Sequence, residues 1–307
     1  MVITLTGKNT FLLRAELDML VSDFVAEYTD MGLERLDGEE IEYDRIREAV
    51  ESLPFLASKK MVVLRSPSAQ KKFIEEIDSL LEGVPETTDL IIVEPKLDKR
   101  LSYYKTLKKG TEYREFNELD EIKLVNWLVE SARSEGGNIS RSDASFLVRR
   151  LGTNQQLLRS ELTKLLLYAP KITKQTIELL TETTPQSSIF DLLDAALAGK
   201  TAHALNIYED QRKQKVEPLA IMGLLGWQLH VLAVIKTAGE RTPDEIASEA
   251  KLSPYVVRKS SGLARSMTLA ELKELIAEAH QLDIRLKSES IDADEAMRLL
   301  IIRLGNR

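Results

Sequence analysis

The chain has 307 residues, more than one ordinary domain needs and enough for two or three. Apolar residues at 43% can fill buried cores, and charged residues at 30% suit a wetted surface. With no cysteine and only His203, His230 and His280, the chain has no means for disulfides or thiol catalysis, and thiolate or histidine-rich metal sites drop out with them. The start, MVITLTGKN, has no apolar run after a basic stretch, as a signal peptide would, so a cytoplasmic location is expected.

Residues 1–118 alternate strand and helix patterns. Val2–Leu5 is a short β-type run, and Leu17, Leu20, Val21 and Phe24 then recur at helical spacing. A second helix is expected around Tyr43–Val50 and a third around Lys71–Leu81, with Phe73, Ile77, Leu80 and Leu81 on one face. Met61–Leu64 (MVVL) and Leu90–Val93 (LIIV) are unbroken apolar runs, the mark of strands buried on both faces of a parallel sheet. This alternation predicts a layered α/β domain.

From about Leu119 only helical patterns follow. Three apolar stripes stand out: Val125, Leu128, Val129 and Ala132; Ala144, Leu147, Val148 and Leu151; Leu158, Leu162, Leu165 and Leu166. Gly136-Gly137 and Gly152 punctuate this small helical unit, which ends near Pro185. A second all-helical unit follows. Ile189, Leu192, Leu193 and Ala196 begin it, and Gly199 closes that helix. Thr242-Pro243-Asp244-Glu245 has capping-box spacing with proline in the first turn. Final helices are expected over about 269–286 and 293–304. Leu219 to Ile235 carries no Asp, Glu, Lys or Arg, but it is short for a span and contains Gln228 and His230. A helix buried on several sides is the better reading, and no membrane partner is expected.

Residues 1–118 carry 17 Lys and Arg against 24 Asp and Glu, equal to the whole net charge of −7. A free-standing nucleic-acid binder is basic, so any DNA contact must come from local patches or partners. One such patch is Lys96, Lys99, Arg100, Lys105, Lys108 and Lys109, read either as a solvated face or as phosphate contacts. Residues 242–265 have a helix-turn-helix pattern in which Tyr255 stands beside Arg258 and Lys259. Tyr255 is either a stacking platform for a base or a packed aromatic.

Gly7-Lys8-Asn9-Thr10 looks like the end of a phosphate loop, but G-x-x-x-x-G-K-[ST] needs an earlier glycine, and none of the six preceding residues is one. Asn9 stands where a Ser or Thr would meet magnesium. After MVVL come Arg65 and Ser66 where acids would sit, and Glu94 after LIIV is a lone carboxylate. Neither a catalytic residue nor a cofactor or metal site is identified. Ser52-Leu53-Pro54-Phe55-Leu56-Ala57-Ser58-Lys59-Lys60 joins a helix to a strand, with Pro54 as the breaker. Phe55 and Leu56 at this bend are either core residues or an exposed anchor.

In order along the chain, ITLTGKNTFLL, ERLDGEE, ESLPFLASKKMVVLRSP, DLIIVEPKLDKRLSYYKTLKK, LVRRLGTNQQLLRSELTKLLLYA, SIFDLLDAALAGKTAHAL, EIASEAKLSPYVVRKSSGLAR and LDIRLKS resemble the delta subunit of the bacterial DNA polymerase III clamp loader. The resemblance spans nearly the whole chain. It implies an AAA+-like parallel α/β domain without a working phosphate loop over 1–118, a helical lid over 119–185 and a helical collar for oligomerisation over 186–307. It implies no intrinsic ATPase, although the family is grouped with a nucleotidyltransferase as a subunit of the holoenzyme. The implied partners are the sliding clamp (beta subunit), the ATPase (gamma/tau) and delta-prime subunits, and primed DNA within the assembly. ATP binding by the partner subunits would expose the clamp-binding element, and hydrolysis triggered by primed DNA would release the clamp. In this family the apolar pair before an A-S-[KR] triplet enters a pocket on the clamp. That role falls here on Phe55 and Leu56, flanked by Leu53 and Pro54. Lys99, Arg100, Lys105, Lys108, Tyr255, Arg258 and Lys259 are the candidate DNA contacts. The alternatives are a helix-turn-helix regulator with an α/β sensor domain and a degenerate phosphate-loop NTPase.

Overall fold

The computed structural model describes residues 1–54 and 57–306, and the chain divides into two compact units, Met1–Leu119 and the part from Asp120 onward. The first unit is built on five parallel strands: β1 (Val2–Thr6), β2 (Leu33–Asp37), β3 (Lys60–Arg65), β4 (Thr88–Glu94) and β5 (Glu112–Glu115), in the order β2-β3-β4-β1-β5. Among the described residues four α-helices accompany them: α1 (Thr10–Tyr28), α2 (Tyr43–Glu51), α3 (Lys71–Glu82) and α4 (Ser102–Gly110).

Successive strand side chains point to opposite faces, so each unbroken apolar run feeds two cores. Met61 and Val63 of β3, with Ile91 and Val93 of β4, pack against Leu13, Leu17, Val21 and Phe24 of α1. Val62, Leu64, Leu90 and Ile92 face the other way, toward α2, α3 and α4 through Ile46, Phe73, Ile77, Tyr103 and Leu107. This is the layered parallel α/β sheet expected from the sequence. The edge strands β2 and β5 were not legible there. LERLD and EYRE are only partly buried and have no apolar run to announce them.

In the second unit, α5 (Glu121–Ser134), α6 (Arg141–Leu151), α7 (Gln155–Tyr168) and α8 (Lys174–Leu180) come first. The expectation of helices alone needs one correction. Two short strands, β6 (Asn138–Ile139) and β7 (Lys171–Ile172), pair in parallel ahead of α6 and α8 and bury Ile139 and Ile172. Then come α9 (Pro185–Leu197), α10 (Thr201–Lys213), α11 (Pro218–Thr237), α12 (Pro243–Ala250), α13 (Pro254–Ser266), α14 (Leu269–Ser288) and α15 (Ala293–Gly305). Among the described residues α11 is the one helix long and apolar enough to cross a membrane. Its Ile221, Met222, Leu225, Leu229 and Leu232 lie at the centre of the core shared with α9, α14 and α15. Trp227 stands edge-on to Phe190 at 5.8 Å. The capping box at Thr242 and Glu245 forms as expected, with Pro243 in the first turn.

Candidate functional site

The helix α2 ends at Glu51, and the chain turns at Ser52 because Ser52, Leu53 and Pro54 leave helical geometry. It re-enters the sheet at Lys60. Leu53 is 73% exposed and Pro54 half-buried. Phe55 and Leu56 lie outside the described residues. The base of this loop is tied down. The Nζ of Lys60 donates to the carbonyl of Ala49 at 2.5 Å and to the Ser52 hydroxyl at 2.9 Å. Burial holds the Lys60 ammonium below the usual lysine range. The neighbouring Lys59 meets the buried Asp89 carboxylate at 2.9 Å, and that hydrogen bond raises its pKa. Gly32 permits the close approach of its own segment to the loop. A Cβ there would stand 2.6 Å from the Lys59 carbonyl oxygen and 3.4 Å from the Ala57 Cβ. Sequence reading named Ser52 and Lys60 only as the ends of the bend and gave them no role, and it did not single out Asp89 or Gly32. The available signal was a lysine directly abutting the buried run MVVL.

The corner that would hold a nucleotide is occupied by the chain itself. Gly7 has φ +120, and the segment after β5 lies on it. The Asn9 amide donates to Phe116 at 3.0 Å, and the Asn9 side chain accepts from Leu12 and so caps α1. Glu94, 3% exposed, accepts from the Ser68 amide at 2.7 Å, the Ser68 hydroxyl at 3.0 Å and the Tyr103 hydroxyl at 3.2 Å. Burial pushes its pKa up, and the Ser68 and Tyr103 hydrogen bonds only partly offset this. Tyr103 is raised in turn, by burial and by Glu94.

The basic run is not uniformly free. Lys99 pairs with Glu115 at 2.6 Å and Arg100 with Asp98 at 2.7 Å, which holds the Asp98 carboxyl down at about 2. Lys108 lies over the Tyr104 ring at 5.6 Å. Lys105 is exposed and has no ion pair among the described residues. In the second unit α12 and α13 form the helical hairpin, packed through Ile246, Ala247 and Val257. The first turn of α13 faces inward: Tyr255 is 8% exposed and Val257 fully buried. Burial, reinforced by Glu121 and Asp191, pushes the Tyr255 hydroxyl up to about 12. A groove-reading helix would present that turn to bases. Arg258 pairs with Asp244 at 2.9 Å, and Lys259 reaches Asp191 at 3.6 Å over the Phe190 ring. The loop and the basic run share the first unit, while Tyr255, Arg258 and Lys259 belong to the second.

The family described as DNA polymerase III, delta subunit, matches residues 4–117, and its C-terminal domain matches 186–304. DNA polymerase III subunit delta of Bacillus subtilis is 27% identical, with 99% of this chain and 92% of that protein covered. The probable delta subunit of Aquifex aeolicus is 22% identical over 97% of this chain and 89% of its own length. The solved structure of the Bacillus subtilis DNA clamp loader delta protein superposes with a TM-score of 0.83 at 25% identity, covering 100% of this chain and 95% of that one. Both units and their order are thus accounted for by one family, and the chain belongs to the DNA polymerase III delta subunits of the clamp loader.

Proposed function

We propose that this chain grips a ring-shaped sliding clamp through Phe55 and Leu56, with Leu53 and Pro54 at the rim, and favours the open ring. The observation that carries this reading is the anchored loop itself. Its base is bonded through Lys60 while Leu53 beside the pair stands 73% exposed. A ligand that prefers the open ring opens it by differential affinity alone. The ATPase subunits of the loader supply the energy cycle, and the delta-prime subunit completes the ring. Primed DNA is met inside the assembly, and the whole works in the cytoplasm. Residues 119–185 act as a lid and 186–307 as the collar that joins the ring of subunits. The family match beginning at residue 186 supports that boundary.

Burying one large apolar side chain is worth roughly 1.5–3 kcal/mol. The Phe55→Ala/Leu56→Ala double variant is therefore expected to weaken clamp binding by on the order of a hundredfold. Its melting temperature should stay near that of the parent. If the pair were core, truncation of the phenylalanine alone would cost roughly 3–5 kcal/mol. Clamp titration and melting curves on the same variant separate the two. Native-strength binding, or a collapse in stability, overturns the proposal.

A further inference from the structure

Lys60 opens β3 with only 7% of its surface exposed, and among the described residues no carboxylate stands within ion-pair distance of its Nζ. Burying an ammonium without a counter-ion is unfavourable unless its donors are well used. Here both partners sit at the same place, the junction of α2 with the loop. The Ala49 carbonyl belongs to the last turn of α2, where acceptors lack helical partners and the helix dipole favours a cation. Ser52 is the C-cap of α2, through its amide to the Glu48 carbonyl, and begins the loop, so the bond its hydroxyl accepts from Lys60 joins residues eight positions apart across the loop base. Lys59 turns to the opposite face, to Asp89 at 2.9 Å and over the Tyr28 ring of α1 at 5.6 Å. The chain leaving the loop is thereby fastened to the helices on both faces of the sheet.

We propose that Lys60 is a positioning residue for clamp docking, which closes the base of the Ser52–Lys60 loop and so presets the segment that carries Phe55 and Leu56. This rests on the clamp-docking reading above. A loop whose ends are already joined loses less conformational freedom on binding, and the anchor pair then engages at full strength. Lys60 itself is buried behind the loop and does not touch the clamp.

The test is a double-mutant cycle in the full-length chain, read as clamp affinity by calorimetry or surface resonance, with melting curves alongside. Lys60→Met keeps the bulk and removes both hydrogen bonds. It is expected to weaken clamp binding about tenfold. In the Phe55→Ala/Leu56→Ala background the same change should cause no further loss, because there is no longer an anchor to position. Ser52→Ala deletes only the bond across the loop, and a severalfold weakening is expected from it. It is the decisive variant if Lys60→Met fails to fold. Equal losses in both backgrounds overturn the assignment, as does native binding by Lys60→Met or, where that variant does not fold, by Ser52→Ala. If Phe55→Ala/Leu56→Ala binds at native strength, the docking reading itself fails. If it loses binding while Lys60→Met keeps it, only the role of Lys60 fails.

Discussion

A Cβ on Gly7 would stand 2.1 Å from the carbonyl oxygen of Phe116, so the chain after β5 is seated directly on the turn that leads into α1. A phosphate loop works by leaving backbone N–H groups free to wrap an anion at a helix N-terminus. Here the Asn9 amide is spent on Phe116, and the Leu12 amide on the Asn9 side chain. Isolated, the chain is expected to give no heat with Mg-ATP beyond dilution in a calorimetric titration. A micromolar dissociation constant would contradict this arrangement.

Glu94 offers a test of the same corner by pH. Its folded pKa is raised by burial, while in the unfolded chain it titrates near the ordinary glutamate value of about 4.3. Between the two values the folded protein holds more protons than the unfolded chain, so stability falls as pH rises through that window. Glu94→Gln removes the charge and can keep the Ser68 and Tyr103 contacts, with its amide donating to the Ser68 hydroxyl. Melting curves from about pH 4 to about pH 8 should show the variant pulling ahead of the parent as pH rises, by about 2–4 °C at the upper end. A gap that shrinks with rising pH would show that Glu94 is held as a favourable anion.

The basic run is expected to divide into two classes. Lys99 and Arg100 are engaged with Glu115 and Asp98, whereas Lys105 has no ion pair among the described residues and Lys108 rests on an aromatic ring. If the run contacts DNA in the assembled loader, Lys105→Gln/Lys108→Gln should lower the slope of log affinity against log salt by roughly 0.9 per lost phosphate contact. Lys99→Gln/Arg100→Gln should lower it less. An unchanged slope in both variants would return the run to an ordinary solvated face.

The α/β class, the central strands and the helical stripes were legible because they depend on local periodicity. MVVL and LIIV are short runs that are apolar at every position, the pattern of a strand covered on both faces. The missing phosphate-loop glycine was equally plain, since a motif of fixed spacing is either present or not. The edge strands β2 and β5 were hidden because half-exposed strands tolerate polar residues and leave no run to detect. Tyr255 shows the same limit at a site. Its chemistry suits base stacking as well as packing, and only the burial of the first turn of α13 distinguishes them. Lys60 shows it most directly. By sequence it is the second of two lysines before a strand, a place where charge is ordinarily solvated. Its bonds to Ala49 and Ser52 arise because the parallel sheet brings the end of α2 back beside the start of β3. Residue type and spacing therefore determined which elements form and which chemistry is missing. Which polar groups are buried together, and which loop ends are joined, was decided by how the helices pack on the sheet, and no periodic pattern encodes that.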